Sequence, residues 1–538
     1  MQLRTITITQ EFLHIPVQVG QDEQRYALQI LIGGASVREF YLAIADKREG
    51  AHYFFYDVSA FMGCEMTLLL PDPGALARST LMGILQGGAP EPGNPLYPDL
   101  YREKLRPGYH FSTKRGWLND PNGLIYAGGQ FHMYYQHNPM GQPHGGVNIC
   151  WGHAVSQDLL HWTELNDAIV PWRRDWSVAS GSAMLDEEGV AGFGKGAIIA
   201  AFTALGTHNE VEGRHYASGG QFMAGSIDGG DTFYLFNTQA TVPTEGGEGW
   251  RDPRIFRYED HYVMAVYETY DGRNCVSIYT SHDLRNWTRA SRNMDLYECP
   301  DLFQLTTPEG ESRWILYGAD GFARIGHFDG STFTESGDAH PLDYGKAVYA
   351  GQTWMHHPEG KRVHISWILG MDGYVCEYSF PDMPFSQCMS IPCELNLVKM
   401  DGHFRVMRTP INLSPLHDGD ATESSFALRG EYDLPLDQRS EYTFRFDNIE
   451  GELGIRAGSH PIIFDPDARL LRFDNGKTAT TAGDTLTLRL LIDTTTMELF
   501  FDGGIVATYT IHPDNMSLQF CGSAHVSSAR QPLNSIHP

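Results

Sequence analysis

Short runs of alternating apolar and polar residues dominate the first 85 residues of the chain. Examples are TITITQ, RYALQILI, EFYLAIA and MTLLL. A period of two is typical of half-buried β-strands, so we predict a small β domain over residues 1–85. The stretch QGGAPEPGNPLYP follows, and its density of glycine and proline predicts a linker over residues 86–104.

From residue 105 the pattern becomes repetitive. Strand-like runs are followed by a tight turn and an aromatic residue, most closely in SQDLLHW (156–162) and SHDLRNW (281–287). Looser copies are SIDGGDTF (226–233) and HFDGSTF (327–333). Such a repeat predicts propeller blades, and four copies with one degenerate blade make a five-bladed β-propeller over residues 105–405. Unrelated hairpins that share turn chemistry are the alternative.

Beyond residue 405 the blade pattern stops. Alternating strands such as LLRFDNG and MELFFDGGIVATYTI carry Asn-Gly and Gly-Gly turns, which predicts an antiparallel β-sandwich over residues 406–538. The predicted fold class is therefore all-β: a small N-terminal β domain, a propeller and a C-terminal sandwich.

Charge and composition narrow the choice of partners. The net charge of −27 disfavours nucleic acid and anionic membrane surfaces, which carry the same sign. No stretch approaches the roughly 20 apolar residues of a membrane-spanning helix. The first 20 residues lack the apolar core of a signal peptide, so we expect a cytoplasmic location, with a secreted form whose signal has been removed as the alternative. The oligomeric state stays open.

Cysteine and histidine usage gives no metal pattern. The eight cysteines are scattered without a CxxC pair, and the 23 histidines form no ligand-like cluster beyond His356-His357, an arrangement more typical of a loop. We therefore expect neither a metal nor a cofactor.

Three acidic residues occupy unusual settings in different predicted blades: Asp120 in GWLNDPNG, Asp252 in GWRDPRIF and Glu298 in LYECPDLF. Proline follows each at once or after one residue, and because proline cannot donate to a strand ladder it ends or bulges the strand. Each carboxylate could then face the axial mouth of the propeller, although an ordinary turn or strand end explains any one of them. We expect Arg251 to favour the ionised form of Asp252, and the aromatic neighbours of Glu298 to raise its pKa. Glycoside cleavage requires such a pair.

In this order, the three motifs resemble the signature motifs of glycoside hydrolase family 32, which includes invertases, inulinases and levanases. Supporting segments are YYQHNP (134–139), ICWGHAVSQDLLHW (149–162), SGSAMLDEEGVAGFGKGAIIAAFTA (180–204) and LRLLIDTTTMELFFDGG (488–504). The resemblance covers roughly residues 105–515 and leaves the first 100 residues outside.

The resemblance implies a five-bladed propeller followed by a sandwich, and hydrolysis of β-fructofuranosyl linkages with retention through a covalent fructosyl-enzyme. By the same resemblance, Asp120 is the nucleophile, Glu298 the general acid and then base, and Asp252 the transition-state stabiliser. The substrate-binding positions it implies are Asn119, Gln136, Trp151, Ser180, Arg251 and Trp354. For Trp354, a place in the propeller core is the alternative.

The chain departs from the family pattern beside this site. Where many relatives have an aromatic wall it has His144-Gly-Gly146-Val147, and where they have an aromatic before Ser-Gly it has Ala179. We expect a wider mouth, unless His144 or Trp176 fills the gap.

The expected partner is a fructose-containing oligosaccharide or polysaccharide. An exo-acting β-fructosidase is the first interpretation of the residues and the resemblance together. A fructosyltransferase on the same scaffold and a non-catalytic fructan-binding protein are the alternatives.

Overall fold

The computed structural model describes residues 1–20, 23–46, 51–142, 144, 146–173, 176–207, 216–243, 249–337, 339–370, 380 and 382–537. Strands account for almost all of the regular structure in these ranges. The helices there are short 3-10 turns: Ser59–Phe61, Thr80–Gly83, Gly146–Asn148, Ser414–Leu416 and Pro513–Asn515. None of the helices in the described ranges has the length and apolar character needed to span a membrane.

Two small sheets build the N-terminal domain. Its strands are β1 (Gln2–Thr7), β2 (Phe12–Val17), β3 (Tyr26–Ile32), β4 (Ala35–Leu42), β5 (His52–Asp57), β6 (Glu65–Leu70) and β7 (Leu85–Gly87). One sheet has the order β1-β6-β3-β4 and the other β5-β2-β7. Leu28, Ile30, Phe54 and Leu68 are fully buried between them, as the alternation in the sequence predicts.

The predicted linker is a packed segment rather than a free spacer. Strand β7 pairs with β2, and the following turns bring Tyr97 and Leu100 into a buried cluster with Tyr53. The Tyr97 hydroxyl and His14 Nδ1 lie 2.7 Å apart in a buried hydrogen bond. Proline and glycine thus build successive turns here, while the two apolar side chains fix the segment to the N-terminal domain.

Five sheets follow one another along the chain as propeller blades. The first two contain β8 (Gly116–Ala127), β9 (Gln130–Asn138), β10 (Cys150–Ser156) and β11 (Trp162–Glu164), then β12 (Trp176–Asp186), β13 (Ala197–Thr207), β14 (Tyr216–Ser226) and β15 (Tyr234–Leu235). The third contains β16 (Arg251–Tyr258), β17 (His261–Tyr270), β18 (Arg273–Ser281) and β19 (Thr288–Met294). The fourth contains β20 (Asp301–Thr306), β21 (Ser312–Tyr317), β22 (Phe322–Phe328), β23 (Phe333–Glu335) and β24 (His340–Pro341).

The fifth blade closes the ring. It contains β25 (Val348–Thr353), β26 (Val363–Ile368), β28 (Cys388–Met389), β29 (Cys393–Met400) and β30 (His403–Pro410), while β27 (Phe385–Ser386) pairs in parallel with β8 of the first blade. Strand β30 runs to Pro410, so the predicted propeller boundary at residue 405 falls inside a strand. The boundary was misplaced because β30 has the same alternation as the sandwich strands.

The two closest copies of the repeated motif, residues 156–162 and 281–287, form the same turn. Asp158 accepts hydrogen bonds from the backbone of the turn, Leu159 adopts a left-handed φ of 66°, and Trp162 Nε1 donates to the Leu159 carbonyl at 3.1 Å. In the second copy Leu284 has a φ of 60° and Trp287 Nε1 donates to its carbonyl at 3.2 Å. The aspartate therefore stabilises a strained turn, and the aromatic ring covers it.

Ten strands form the C-terminal sandwich: β31 (Thr422–Leu434), β32 (Ser440–Asp447), β33 (Leu453–Ala457), β34 (His460–Asp465), β35 (Leu470–Phe473), β36 (Thr478–Thr480), β37 (Leu486–Ile492), β38 (Thr496–Phe501), β39 (Ile505–Thr510) and β40 (Leu518–Pro532). Their order is β36-β35-β34-β33-β40-β32-β37-β38-β39, with β31 also on β40. Leu453, Phe464, Leu488 and Phe520 belong to one buried core.

A buried ionic cluster joins propeller and sandwich. His110 Nδ1 lies 2.9 Å from Asp493, and its Nε2 lies 3.0 Å from Glu498. Burial alone would lower the pKa of His110, but the hydrogen bonds to the two carboxylates raise it to about 9. The imidazolium therefore holds the two domains together at neutral pH.

Candidate active site

The inner strands of four blades share an irregularity. A shift of register interrupts each of them: β8 at Leu118/Pro121, β12 at Val178/Gly181, β16 at Arg251/Arg254 and β25 at Tyr349/Gln352. A β-bulge takes residues out of the ladder and re-aims their side chains. Asp120, Ser180 and Asp252 all lie within these bulges.

The fourth blade delivers its carboxylate by another route. Glu298 and Cys299 stand just before β20, and both have positive φ angles, 45° and 41°. Asp252 is likewise left-handed, with a φ of 63°. Side chains with a Cβ adopt this region at a cost, and such strain concentrates at functional sites. The prolines that follow these residues are consistent with strands that begin or bulge there, as the sequence predicts.

Both carboxylate oxygens of Asp120 accept hydrogen bonds. Asn119 Nδ2 donates to Oδ1 at 3.1 Å, and the Ser180 hydroxyl donates to Oδ2 at 2.6 Å. Asn119 is itself held, because Trp117 Nε1 donates to its Oδ1 at 2.8 Å. A carboxylate fixed in this way cannot rotate freely, which suits a group that must attack one atom of a substrate.

Glu298 is anchored by a cation and a phenol. Arg251 donates to Oε1 through Nη2 and, at 3.1 Å, through Nε, while the Tyr349 hydroxyl donates to Oε2. Arg251 is fixed in turn by the Gly249 carbonyl at 2.8 Å and by the ring of Tyr267 beneath it. The Glu298 side chain keeps 17% of its surface exposed, against 5% for Asp252, so it is the more accessible of the two.

Cys299 links the other two carboxylates. Its thiol lies 3.5 Å from Asp120 Oδ2 and 3.4 Å from Asp252 Oδ2, and its backbone N–H donates to the same Asp252 oxygen at 3.1 Å. The two aspartate oxygens are therefore no more than about 7 Å apart. Arg251, which binds Glu298, also stands 3.8 Å from Asp252, so carboxylates from three blades belong to one cluster of contacts.

Burial has the largest effect on the pKa values of the two aspartates. Burial raises the pKa of Asp252 to about 7; the Arg251 guanidinium opposes this, and the charges of Glu298 and Asp120 add to it. Arg251 stands 3.8 Å from Asp252 and favours its ionised form, as predicted, but burial outweighs this effect and the net pKa of Asp252 is raised. Burial also raises the pKa of Asp120, although the Ser180 and Asn119 hydrogen bonds counteract it.

Three predicted substrate-binding side chains lie in the interior. Trp354 is fully buried, stacks on Trp162 and donates from Nε1 to the His132 carbonyl at 3.0 Å. Its assignment to the pocket wall is wrong, because it is part of the core of the first and fifth blades.

The other two support the β12 bulge from inside. Trp151 is fully buried and its Nε1 donates to the Ala179 carbonyl at 2.9 Å. Gln136 is buried and its Nε2 donates to the Val178 carbonyl at 3.0 Å. Trp151 thus has no surface to offer a substrate. Both side chains hold the backbone that presents Ser180.

The structure also identifies site residues that the motifs did not reveal. Tyr349 binds Glu298, Cys299 bridges the aspartates, and the Thr203 hydroxyl accepts the Asp252 N–H at 2.9 Å. Cys299 could have been suspected from its place between Glu298 and Pro300. Tyr349 and Thr203 lie in ordinary strand sequences that carry no signal.

The two atypical positions beside the site have small, buried residues. Gly146 begins a 3-10 turn, and Ala179 is buried in β12. The ring of His144 packs edge-on against Trp117, 6.2 Å away, while Trp176 packs against Trp172 and Phe222. His144 therefore neighbours the tryptophan that holds Asn119, and Trp176 belongs to an aromatic cluster of the second blade.

Comparison with known proteins places these observations in a family. The profile of the "Glycosyl hydrolases family 32 N-terminal domain" matches residues 110–410. The chain is 28% identical to a levanase of Bacillus subtilis (strain 168), covering 78% of this chain and 68% of the levanase. It is 29% identical to a levanase of Bacillus sp. (strain L7) and to an extracellular exo-inulinase of Aspergillus ficuum. These matches cover 50% and 65% of the relatives' own length, so the chain spans between half and about two thirds of them.

Solved structures agree on the fold. The exo-inulinase from Aspergillus awamori superposes with a TM-score of 0.69 at 22% identity, covering 81% of this chain and 99% of that one. Fructan 1-exohydrolase IIa from Cichorium intybus gives 0.66 at 19% identity, covering 80% and 98%. The predicted all-β fold is confirmed, and because the family profile spans more than half of its residues, the chain belongs to glycosyl hydrolase family 32.

Proposed function

We propose that this protein is an exo-acting β-fructofuranosidase that releases terminal fructose from sucrose, fructo-oligosaccharides or fructans. The observation that carries the proposal is one cluster of carboxylates from three blades, in which Asp120 and Asp252 contact the Cys299 thiol and Arg251 connects Asp252 to Glu298. Levanases, an invertase and exo-inulinases among the similar proteins support a fructoside as the substrate.

In the first step, Asp120 attacks the anomeric carbon of the terminal fructosyl unit. An oxygen of Asp120 forms a bond to that carbon while the glycosidic C–O bond breaks, and Glu298 gives its proton to the departing oxygen. The hydrogen bonds from Asn119 and Ser180 fix the attacking carboxylate in one orientation. Glu298 suits the proton-transfer role because 17% of its side-chain surface is exposed, against 5% for Asp252, so water can reach it.

In the second step, water replaces the leaving group. Glu298, now ionised, takes a proton from the water as its oxygen bonds to the anomeric carbon and the bond to Asp120 breaks. Two inversions give net retention. Asp252 stays buried beside both reacting groups, so its carboxylate can accept hydrogen bonds from fructose hydroxyls as positive charge develops on the ring.

Product analysis tests the proposal. We expect the purified protein to release free fructose from at least one of sucrose, 1-kestose, inulin and levan. The only other product should be the substrate shortened by one fructosyl unit at a time, without released oligosaccharides of intermediate length. The Asp120→Asn variant should release none while keeping its fold, as judged by circular dichroism. No fructose from any of the four substrates would contradict the assignment. Accumulation of longer oligosaccharides instead of fructose would show a transferase.

A further inference from the structure

A second cavity lies between the N-terminal domain and the propeller, outside the site described above. It has a volume of about 370 Å³. Strands β2 and β5 contribute Phe12 and Phe55, the packed segment after β7 contributes Glu91, and the first two blades supply the floor and the far rim. The motifs and the proposed function assign no role to this cavity.

A buried histidine faces this cavity with an unsatisfied nitrogen. His153 is fully buried and its Nδ1 has no hydrogen-bond partner. Its Nε2 lies 3.0 Å from His132 Nδ1, and His132 Nε2 lies 3.3 Å from the Ala127 carbonyl. A carbonyl only accepts, so His132 carries its proton on Nε2 and accepts at Nδ1. His153 must then donate from Nε2, which leaves Nδ1 as a bare acceptor.

A second acceptor lies close to His153 Nδ1. Asp231 Oδ1 stands 4.0 Å from His153 Nδ1, and its side chain is 64% exposed at the rim. Burial lowers the pKa of His153 to about 3, so the imidazole is neutral at physiological pH and does not form an ion pair with Asp231. Two acceptors therefore lie 4.0 Å apart, and a molecule with two adjacent O–H groups can donate to both of them.

The acidic walls do not form a cation site. Four carboxylates of the cavity already accept hydrogen bonds from protein groups: Asp57 from Asn166, Glu91 from Lys114, Glu164 from the Lys114 N–H and Asp167 from His137. Within the described ranges, only His137, Cys150 and Asp167 bring three metal-ligand atoms together, and Asp167 alone belongs to the cavity. A calcium ion would need six or more oxygens converging on one point.

The remaining wall is apolar. Phe12 and Phe55 are half-buried and meet edge to face at 6.2 Å, and Leu165 is 37% exposed beside them. Small-molecule sites combine such walls with a few placed polar groups. A neutral sugar presents both an apolar ring face and neighbouring hydroxyls that donate.

We propose that the cavity between the N-terminal domain and the propeller is a non-catalytic binding site for a neutral sugar, whose adjacent hydroxyls donate to His153 Nδ1 and Asp231. The site goes beyond the proposed function and uses none of its residues. It gives the N-terminal domain a role: this domain supplies one wall of a second sugar-binding site.

The test counts 1-kestose sites by isothermal titration calorimetry on the full chain. The Asp120→Asn background prevents turnover during the titration. Ala89→Trp places an indole at the rim to block the cavity, and Asp231→Ala removes one of the two acceptors. Asp260→Ala, an 85% exposed aspartate on the third blade, is the matched control.

We expect two sites per chain in the background and in the control, one site after Ala89→Trp, and at least about tenfold weaker binding at the second site after Asp231→Ala. With Asp120 intact, Ala89→Trp and Asp231→Ala should hydrolyse sucrose at the wild-type rate. An Ala89→Trp chain that keeps every 1-kestose site of the background would overturn the proposal. So would binding of calcium, but not of 1-kestose, in the cavity. Failure of the proposed function would appear separately, as loss of the site that Ala89→Trp leaves intact.

Discussion

Replacing Asp252 with asparagine separates two effects of the buried carboxylate: its effect on folding stability and its effect on hydrolytic activity. The carboxyl group has a pKa of about 7 in the folded chain, against about 4 in an unfolded one. Between these values the folded state holds a proton that the unfolded state has released, so this group's contribution to stability falls as pH rises. Once Asp252 is ionised above pH 7, the free energy of unfolding is lower by about 4 kcal/mol than at pH 4. Asparagine does not ionise and avoids this loss.

We therefore expect Asp252→Asn to lose hydrolytic activity and to become more stable than the wild type at pH 8. The stability difference should shrink by about 1.4 kcal/mol for each unit of pH between about 7 and 4. All ten tryptophans lie between residues 117 and 367, so urea unfolding followed by tryptophan fluorescence reports the propeller. Measurements at pH 5, 6, 7 and 8 give the slope.

Asp271→Asn provides the matched control. Asp271 is exposed and, like Asp252, has a left-handed backbone, with a φ of 52°. Any gain from placing asparagine in that conformation should appear in both variants, while the pH-dependent gain should appear only at Asp252. A variant at Asp252 that is no more stable than wild type at pH 8, or whose advantage is the same at every pH, would show that burial does not raise the pKa of Asp252.

The other predictions concern the neighbours of the carboxylates. Ser180→Ala removes a hydrogen bond that lowers the pKa of Asp120, so the acid limb of the kcat/KM profile should move to higher pH; an unmoved limb would contradict the role of Ser180. Tyr349→Phe frees one oxygen of Glu298 and should lower kcat by about tenfold or more with little change in urea stability, measured on sucrose; an unchanged kcat argues against a positioning role. Trp354→Ala should cost about 3 to 5 kcal/mol in urea unfolding without raising KM; raised KM at unchanged stability would return Trp354 to the pocket wall. Dialysis against EDTA should leave activity unchanged, and loss reversed by a divalent ion would contradict the metal-free mechanism.

Local patterns in the sequence predicted much of the architecture. The Ser-x-Asp-Leu-x-x-Trp copies predict blades because their chemistry is local: an aspartate caps a turn, a leucine takes a left-handed conformation and a tryptophan covers it. Local sequence also identifies the three carboxylates, because a proline close to an acidic residue at a strand end can be recognised from the sequence alone. They are Asp120, Asp252 and Glu298.

Contacts between side chains of different blades could not be predicted from local sequence. Arg251 adjoins Asp252 in sequence yet binds Glu298, because the bulge in β16 separates neighbouring side chains. Trp354 and Trp151 lie in motifs close to the site, but strand pairing directs them inward, and only the assembled blades decide which face is buried. Net pKa shifts depend on burial, so they too follow from the complete fold.

The proposed mechanism makes Asp120 the nucleophile and Glu298 the acid and base of a retaining fructosidase. Glu298→Gln should accept fructosyl fluoride, whose leaving group needs no proton, and then stall because no base activates water. Mass spectrometry of the quenched, digested protein should show one hexosyl unit on the peptide that contains Asp120. A hexosyl unit on any other residue, or rapid turnover with no adduct, would exclude Asp120 as the nucleophile.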